Sequence, residues 1–196
     1  MSRETTDIRQ EQIKKAVLEI ISNEGLHNLS TRNLAKKIGL SEGAIFRHFT
    51  TKRDIIKGIM DDVANDLVGS LRNITISPVK AEEKLFKYIC HNVKYLQENQ
   101  GITILLFSEA THMGDQELKD KLNQILSEQK QLIIKIVKDG IAEGVWDKSL
   151  KSEDIATLYM GIPITYNIEF VLNKNRVNVD DFCKRMFKLV VKSLRI

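Results

Sequence analysis

The stretch that decides the fold of this chain is LSTRNLAKKIGLSEGAIFRHFTTKR, residues 29–53. Ser30 and Ser41 are of the residue type that caps helix N-termini, and each precedes a short segment with apolar residues at helical spacing. Gly39 lies between the two segments, where glycine readily adopts the left-handed conformation that ends a helix. The stretch therefore predicts two short helices joined by a tight turn.

A longer helix precedes this pair and ends near Gly25. Its apolar residues follow the spacing of one buried helix face: Ile13, Ala16, Val17, Ile20 and Ile21. Three helices within the first 50 residues, the last two joined by a tight turn, are typical of a helix-turn-helix with its supporting helix.

The last of these helices, predicted for residues 41–49, is suited to reading DNA. At about 100° per residue, Ile45 and Phe49 point toward the core. Gly43 and Ala44 are small enough to let the helix backbone approach the bases. Three further side chains lie where phosphates would pass: Arg47, His48 and Lys52.

The net charge of the chain is concentrated in the same region. Residues 1–53 carry ten Lys/Arg and six Asp/Glu, whereas residues 54–196 carry twenty of each. This excess of positive charge favours a polyanionic partner, although a solvated surface with a chance bias would have the same composition.

In its density and order of matching positions, this stretch resembles the DNA-binding domain of the tetracycline-repressor (TetR/AcrR) family. The resemblance covers residues 8–55 well; beyond them, only the helix order and the turn at residues 140–144 are similar. It implies an all-α fold of about nine helices. A helix-turn-helix domain at residues 1–53 would precede an effector-binding and dimerisation domain at residues 54–196, linked by a helix from about residue 52.

The resemblance also implies roles for individual residues. Thr31 would touch phosphate, Arg32 would reach a base or a phosphate, and Ser41 would cap the third helix. The remaining implied contacts are Glu42, Gly43 and Ala44 to base edges and Phe46, His48 and Lys52 to the DNA backbone.

Two of these positions depart from the family pattern. Phe46 stands where the family often has tyrosine, so a hydroxyl bond to phosphate is replaced by stacking or by apolar contact, for example with a thymine methyl group. Glu42 is acidic beside a polyanion. Either it accepts a hydrogen bond from a cytosine amino group and selects sequence, or it supplies negative charge at a helix start and faces water.

The rest of the composition predicts a protein of the cytoplasm without metal or cofactor. Two cysteines cannot form a disulfide framework, and the longest strongly apolar stretch, residues 102–107, is far too short to span a membrane. His91, Glu109 and His112 have the spacing of no familiar metal site. Phosphate loops, nucleophile elbows and His-Glu-x-x-His patterns do not occur in the sequence, so we do not expect an enzyme.

Further helices are expected along the C-terminal part. Ser77 and Pro78 form a helix-start signal, and Pro163 is expected to interrupt a later helix near residues 161–163. The aromatic and sulfur-containing residues of this part would line an effector pocket or would simply pack the core: Tyr88, Cys90, Phe107, Met113, Trp146, Tyr159, Met160 and Tyr166. Since few charged residues fall on the inward faces, we expect a largely apolar ligand.

These features predict a homodimeric repressor that a small molecule releases from double-stranded DNA. The last two helices carry wide apolar stripes suited to a four-helix dimer interface, and twofold pairing requires a near-palindromic operator. The alternative is a DNA-binding adaptor that recruits a protein and senses no small molecule, and a void in the C-terminal domain would separate the two. An activator remains open as well, because the sign of regulation depends on operator position.

Overall fold

The computed structural model describes residues 6–112, 114–173 and 178–195, with the backbone alone described at residues 110–112. Over these residues the chain is all-α, as predicted, and contains nine helices and no strand. The helices are α1 (Thr6–Glu24), α2 (Thr31–Ile38), α3 (Glu42–Phe46), α4 (Lys52–Asp62, continued by Val63–Val68 and Gly69–Ile76), α5 (Ala81–Glu98), α6 (Ile102–His112), α7 (Gln116–Ala142), α8 (Ser152–Asn173) and α9 (Val179–Leu194).

Short-range capping forms the helix-turn-helix, as the sequence predicted. The Ser30 hydroxyl accepts a hydrogen bond from the Asn33 amide at 3.2 Å at the start of α2. The Ser41 hydroxyl accepts from the Ala44 amide at 3.2 Å at the start of α3. Gly39 ends α2 with a φ of 67°, in the left-handed region that favours glycine.

Helix α3 is shorter than predicted, because it ends at Phe46 instead of running through Phe49. The amides of His48 and Phe49 both donate to the Ile45 carbonyl, at 2.9 and 3.1 Å, so the helical ladder closes into a turn. Ile45 and Phe49 are nevertheless buried against α1, α2 and α4, as expected from their spacing. The prediction of a single helix over residues 41–49 is therefore wrong for its last turn.

Helix α4 connects the DNA-binding end of the chain to the C-terminal helices. Thr51 and Asp54 form a capping box, in which each side chain accepts a hydrogen bond from the amide of the other residue. Lys14 of α1 and Asp62 of α4 form an ion pair at 2.6 Å, and the π-helical segment Val63–Val68 then carries α4 toward α5 and α7. The predicted domain boundary after residue 53 falls in the first turn of this shared helix.

The expected helix start at Ser77 and Pro78 is wrong. The Ser77 hydroxyl donates to the Ile74 carbonyl at 2.7 Å, so this residue ends α4. Helix α5 begins at Ala81, whose amide donates to the Glu143 carboxylate at 3.2 Å. A serine followed by proline can either begin a helix or follow the end of one. Here the Ser77 hydroxyl bonds to a carbonyl of the preceding helix, so it marks the end.

The predicted interruption near residues 161–163 is also wrong, since α8 continues through Pro163. Proline removes a single amide donor from the ladder, and packing on both sides of the position can hold the helix together. Pro163 is buried against the neighbouring helices.

Helix α8 is long and apolar enough to cross a membrane by length and composition, and it is the one such helix within the described ranges. Buried helices of globular domains meet the same criteria. Its inner face is fixed by hydrogen bonds to α5: the Tyr159 hydroxyl donates to the Leu85 carbonyl at 2.6 Å, and the Asn167 amide group donates to the Leu96 carbonyl at 2.8 Å.

The outer face of α8 carries apolar side chains that this subunit leaves uncovered. Leu158 and Leu172 are 54% and 73% exposed, and Thr165 lies midway between them at a spacing of seven residues. Leu189 of the adjoining helix α9 is 63% exposed. We call these four residues the α8–α9 stripe; because its α8 members recur every seven residues, they lie on one side of that helix.

Candidate functional site

The N-terminal face of α3 is open to solvent. Glu42, Gly43 and Arg47 are exposed, and Ala44 is half-buried beside them. A Cβ atom placed on Gly43 would meet nothing within 4 Å, so this side of the helix can approach a flat or grooved partner closely. Because Ile45 anchors the opposite side in the core, α3 presents this face rigidly.

Three of the predicted DNA-contacting residues come together from different helices. Thr31 at the start of α2, Phe46 at the end of α3 and Lys52 at the start of α4 line one narrow cleft. Phe46 is 48% exposed, which is unusual for a large apolar ring next to a cleft. Arg32 is exposed one residue after Thr31. The N-termini of α2 and α4, whose dipoles favour anions, thus lie beside the end of α3 at this cleft.

The backbone of His48 is connected to α1 by a hydrogen bond. The Gln10 side chain of α1 donates to the His48 carbonyl at 2.9 Å, and the ring is half-buried. The ring Nδ1 is buried with no hydrogen-bond partner among the described residues. A backbone contact by His48 to DNA therefore remains a prediction.

A second feature is a partly open cavity of about 50 Å³ that is lined by residues of α4, α5, α6, α7 and α8. By volume it holds about three water molecules, so a larger ligand requires these helices to part. No charged side chain occurs among the residues that line it: Val63, Leu67, Asn92, Tyr95, Leu96, Ile102, Thr103, Leu106, Phe107, Leu122, Ile125, Leu126, Gln129, Met160, Pro163 and Ile164.

Two of the predicted pocket residues, Phe107 and Met160, line this cavity. Met113 lies outside the described residues. The three tyrosines are held elsewhere in the core by hydrogen bonds: Tyr88 donates to the Gln129 carbonyl at 3.0 Å, Tyr159 to the Leu85 carbonyl and Tyr166 to the Gln97 side chain at 3.1 Å. Trp146 covers Gly140. Cys90 is half-buried where α5 packs on α9.

The sequence reasoning missed the polar residues of the cavity. Asn92 follows Ile89 by three residues on the inward stripe of α5, and Gln129 follows Ile125 by four on that of α7. A polar side chain at a core position of an amphipathic helix was the signal that could have identified them.

Comparison with known proteins identifies the architecture. Residues 60–193, two thirds of the chain, match a family described as the C-terminal region of YsiA-like proteins, and residues 13–59 match the bacterial regulatory proteins of the tetR family. The chain belongs to the TetR family. Its members and the neighbours found here are regulators of transcription or DNA-binding factors, not enzymes, and this chain is a TetR-type DNA-binding regulator.

Curated relatives of this TetR-family chain include nucleoid occlusion factors. The factor SlmA of Vibrio cholerae is 28% identical over 118 residues, 60% of each protein. The chain thus spans about 60% of the length of that relative. SlmA of Vibrio campbellii is 25% identical over 85% of this chain and 83% of its own length.

Solved TetR-type structures share the whole fold. The ketosteroid transcriptional regulator KstR2 of Mycobacterium tuberculosis superposes with a TM-score of 0.82 at 14% identity, covering 96% of this chain and 95% of its own. FadR of Bacillus subtilis, solved in complex with stearoyl-CoA, has a TM-score of 0.75 at 22% identity, covering 94% and 99%.

In this TetR-family chain, ion pairs connect the start of α4 to α6 and α7. The Lys52 ammonium lies 3.0 Å from the Glu109 carboxylate of α6, which is buried although Lys52 is partly exposed. Arg53 pairs with Asp115 and Glu117, and Lys57 pairs with Glu117 at 2.5 Å.

The cations of α4 lower the pKa values of the two α7 acids, Asp115 and Glu117. The Arg53 guanidinium and the Leu118 amide hold the pKa of Asp115 at about 2, and Lys57 and Arg53 lower the pKa of Glu117. Within the described part of the chain, no group of three or more His, Cys, Asp or Glu side chains is placed to hold a metal ion. The acids at this junction are the ion-pair partners of Lys52, Arg53 and Lys57.

We expect Glu109→Gln to strengthen DNA binding about fivefold at low salt. The change removes the carboxylate that pairs with Lys52, so that the Lys52 ammonium can pair with a DNA phosphate instead. The expected gain in the free energy of DNA binding is of the order of one partly exposed ion pair in each of the two proposed subunits. Fluorescence anisotropy with a labelled duplex measures the effect. The matched control is Glu128→Gln, which removes the partner of Arg72 at the far end of α4. Equal or weaker binding by Glu109→Gln would contradict competition for Lys52.

Proposed function

We propose that this regulator is a cytoplasmic repressor that a small, largely apolar molecule releases from a near-palindromic operator. The observation that carries the proposal is the rigid, open face of α3 beside the cleft shared by Thr31, Phe46 and Lys52. Glu42, Gly43 and Ala44 would approach base edges. The other contacts we assign to the DNA are Thr31, Arg32, Phe46, Arg47, His48 and Lys52, with Ser41 capping the recognition helix.

The operator would be read by a homodimer paired through α8 and α9. The α8–α9 stripe supports this pairing, because an exposed apolar seam on two adjoining helices matches a four-helix interface. A twofold axis between the subunits would set the two α3 helices about one DNA turn apart and thereby require a near-palindrome. The domain that contains the stripe and the cavity would begin after residue 53.

A structural change caused by effector binding in the cavity would be transmitted to the DNA-binding residues through α6. This helix contributes Ile102, Thr103, Leu106 and Phe107 to the cavity wall. Its last turn carries Glu109, whose carboxylate pairs with Lys52. Since the void is only about 50 Å³, a ligand must displace wall residues, and displacement of α6 alters the setting of the α4 N-terminus. The stearoyl-CoA complex of FadR supports an apolar chain as the type of ligand.

The second candidate function is a DNA-binding adaptor that recruits a protein without a small-molecule effector. The named function of the SlmA relatives favours it. The apolar void favours an effector, since an adaptor has no need of one. Loss of operator binding on addition of an apolar ligand separates the two candidates.

Selection from a random duplex library with the purified chain tests the DNA-binding part. We expect a near-palindromic consensus with half-sites about 10 base pairs apart, and an affinity that falls with salt at a log–log slope of about −5 to −7 if each subunit neutralises three or four phosphates. A slope near zero would mean that the basic face does not meet DNA.

Two substitutions divide the DNA contacts by role. Arg47→Ala should weaken binding to selected and random duplexes alike, by about tenfold, and should reduce the salt slope by about 2 per dimer. Glu42→Ala should change sequence preference, because a carboxylate can accept from a cytosine amino group. Lys94→Ala, which changes an exposed side chain on α5, is the control and should leave both unchanged. Equal effects of Arg47→Ala and Glu42→Ala on both duplexes would refute the division.

A further inference from the structure

Two buried amides interrupt the apolar wall of the cavity. Asn92 and Gln129 are only 4% and 7% exposed, and the Asn92 Nδ2 donates to the Gln129 Oε1 at 3.0 Å. This bond uses one donor group and one acceptor, which leaves the Asn92 Oδ1 and the Gln129 Nε2 for a further partner. Neither atom has another hydrogen bond among the described residues.

Polar groups at such positions are costly unless they are used. Asn92 shares the inward stripe of α5 with Ile89 and Val93, both of which are fully buried. Burying an amide without its full set of hydrogen bonds is unfavourable. A pair of leucines would fill the same space without that cost, and both amide side chains line the cavity.

The wall offers hydrogen bonds but no charge. Thr103 and Tyr95 add hydroxyl groups, and burial raises the pKa of Tyr95, which keeps this phenol neutral. Among the residues that line the cavity there is no Lys, Arg, His, Asp or Glu. A carboxylate or ammonium that entered this space would lose its hydration without gaining an opposite charge.

We propose that the effector carries an uncharged hydrogen-bonding group, a carbonyl of an ester, thioester or amide or an alcohol hydroxyl, on an apolar chain, and that Asn92 and Gln129 recognise this group. A carbonyl oxygen accepts from the Gln129 Nε2, and a hydroxyl can also donate to the Asn92 Oδ1. The inference rests on the proposed function, because it takes the cavity to be the effector site. Phe107, which is partly exposed, lies where the chain would leave the cavity.

Three eight-carbon probes test the proposal by isothermal titration calorimetry at pH 7.5: methyl octanoate, 1-octanol and octanoate. The ester and the alcohol should bind at least about tenfold more tightly than the carboxylate, because the carboxylate is desolvated without a partner. The double variant Asn92→Leu/Gln129→Leu removes both polar partners together and should bind the ester about two- to tenfold more weakly. Gln124→Leu, exposed on α7, is the matched control and should behave like the unmodified chain.

The outcomes separate this inference from the proposed function. The double variant should still bind the selected duplex as the unmodified chain does, which shows that it folds. Octanoate binding as tightly as the ester, or an unchanged ester affinity in the double variant, overturns the recognition of a neutral group and leaves the effector cavity in place. Binding of none of the probes, with no release of the duplex, overturns the cavity as an effector site as well.

Discussion

Leu158→Glu combined with Leu172→Glu should give a monomer that binds the operator at least about 100-fold more weakly. The two residues lie on one side of α8 and are 54% and 73% exposed in the subunit, so the change should leave the fold of each subunit intact. In a twofold pairing through α8 and α9, the substitution would bury carboxylates at the seam, and like charges would face each other.

The expected loss of affinity follows from the covalent and non-covalent connection of the two α3 helices within one dimer. A dimer that has docked one α3 helix presents the second at an effective concentration in the millimolar range, and a monomer loses that advantage. Sedimentation velocity at micromolar concentration measures the assembly, and anisotropy with the selected duplex measures the affinity. Ile76→Glu is the matched control, since Ile76 is similarly exposed but ends α4, a helix that contributes no residue to the α8–α9 stripe. A double variant that stays dimeric would place the interface elsewhere.

Gly140→Ala should destabilise the chain by about 3 kcal/mol, against the usual effect of this substitution. Alanine in a helix interior is normally more stable than glycine by about 1 kcal/mol. Here a Cβ atom at residue 140 would lie 2.2 Å from the Trp146 Cε3 and 2.4 Å from its Cζ3, so the buried indole would have to move. The indole covers the glycine at the end of α7, and its displacement disturbs the turn that leads to α8.

Urea denaturation followed by circular dichroism measures the change in the free energy of unfolding. Gly69→Ala is the matched control, because Gly69 also lies in a helix but a Cβ atom there would meet nothing within 4 Å. We expect this control to be neutral or up to about 1 kcal/mol more stable. A stabilised Gly140→Ala chain would show that the Trp146 ring can shift freely, contrary to its close packing.

The two proposed sites are linked by one helix. Helix α6 forms part of the cavity wall, and its last turns carry the Glu109 carboxylate that pairs with Lys52. The Glu109→Gln and Asn92→Leu/Gln129→Leu variants therefore probe opposite ends of the same connection. If the ligand binds more tightly to a setting of α6 that DNA disfavours, linkage requires that the ligand be bound less tightly when DNA is present.

Local interactions were determined by the sequence itself. The caps at Ser30 and Ser41, the left-handed Gly39 and the capping box at Thr51 each involve partners within four residues, so short-range patterns were sufficient to predict the helix-turn-helix. The burial of Ile45 follows from helical periodicity in the same way. Where a local signal was compatible with two conformations, as at Ser77 and Pro78, the sequence prediction failed.

Pairings between distant residues were decided only by the tertiary structure. Asn92 meets Gln129 and Lys52 meets Glu109 because of the way α4 to α7 cross one another. Which side chains of amphipathic helices meet depends on the rotation and crossing of the helices, and periodicity fixes only the face that each one buries. The aromatic residues therefore suggested a pocket from the sequence, whereas the packing placed most of them in the core and left the void beside two amides.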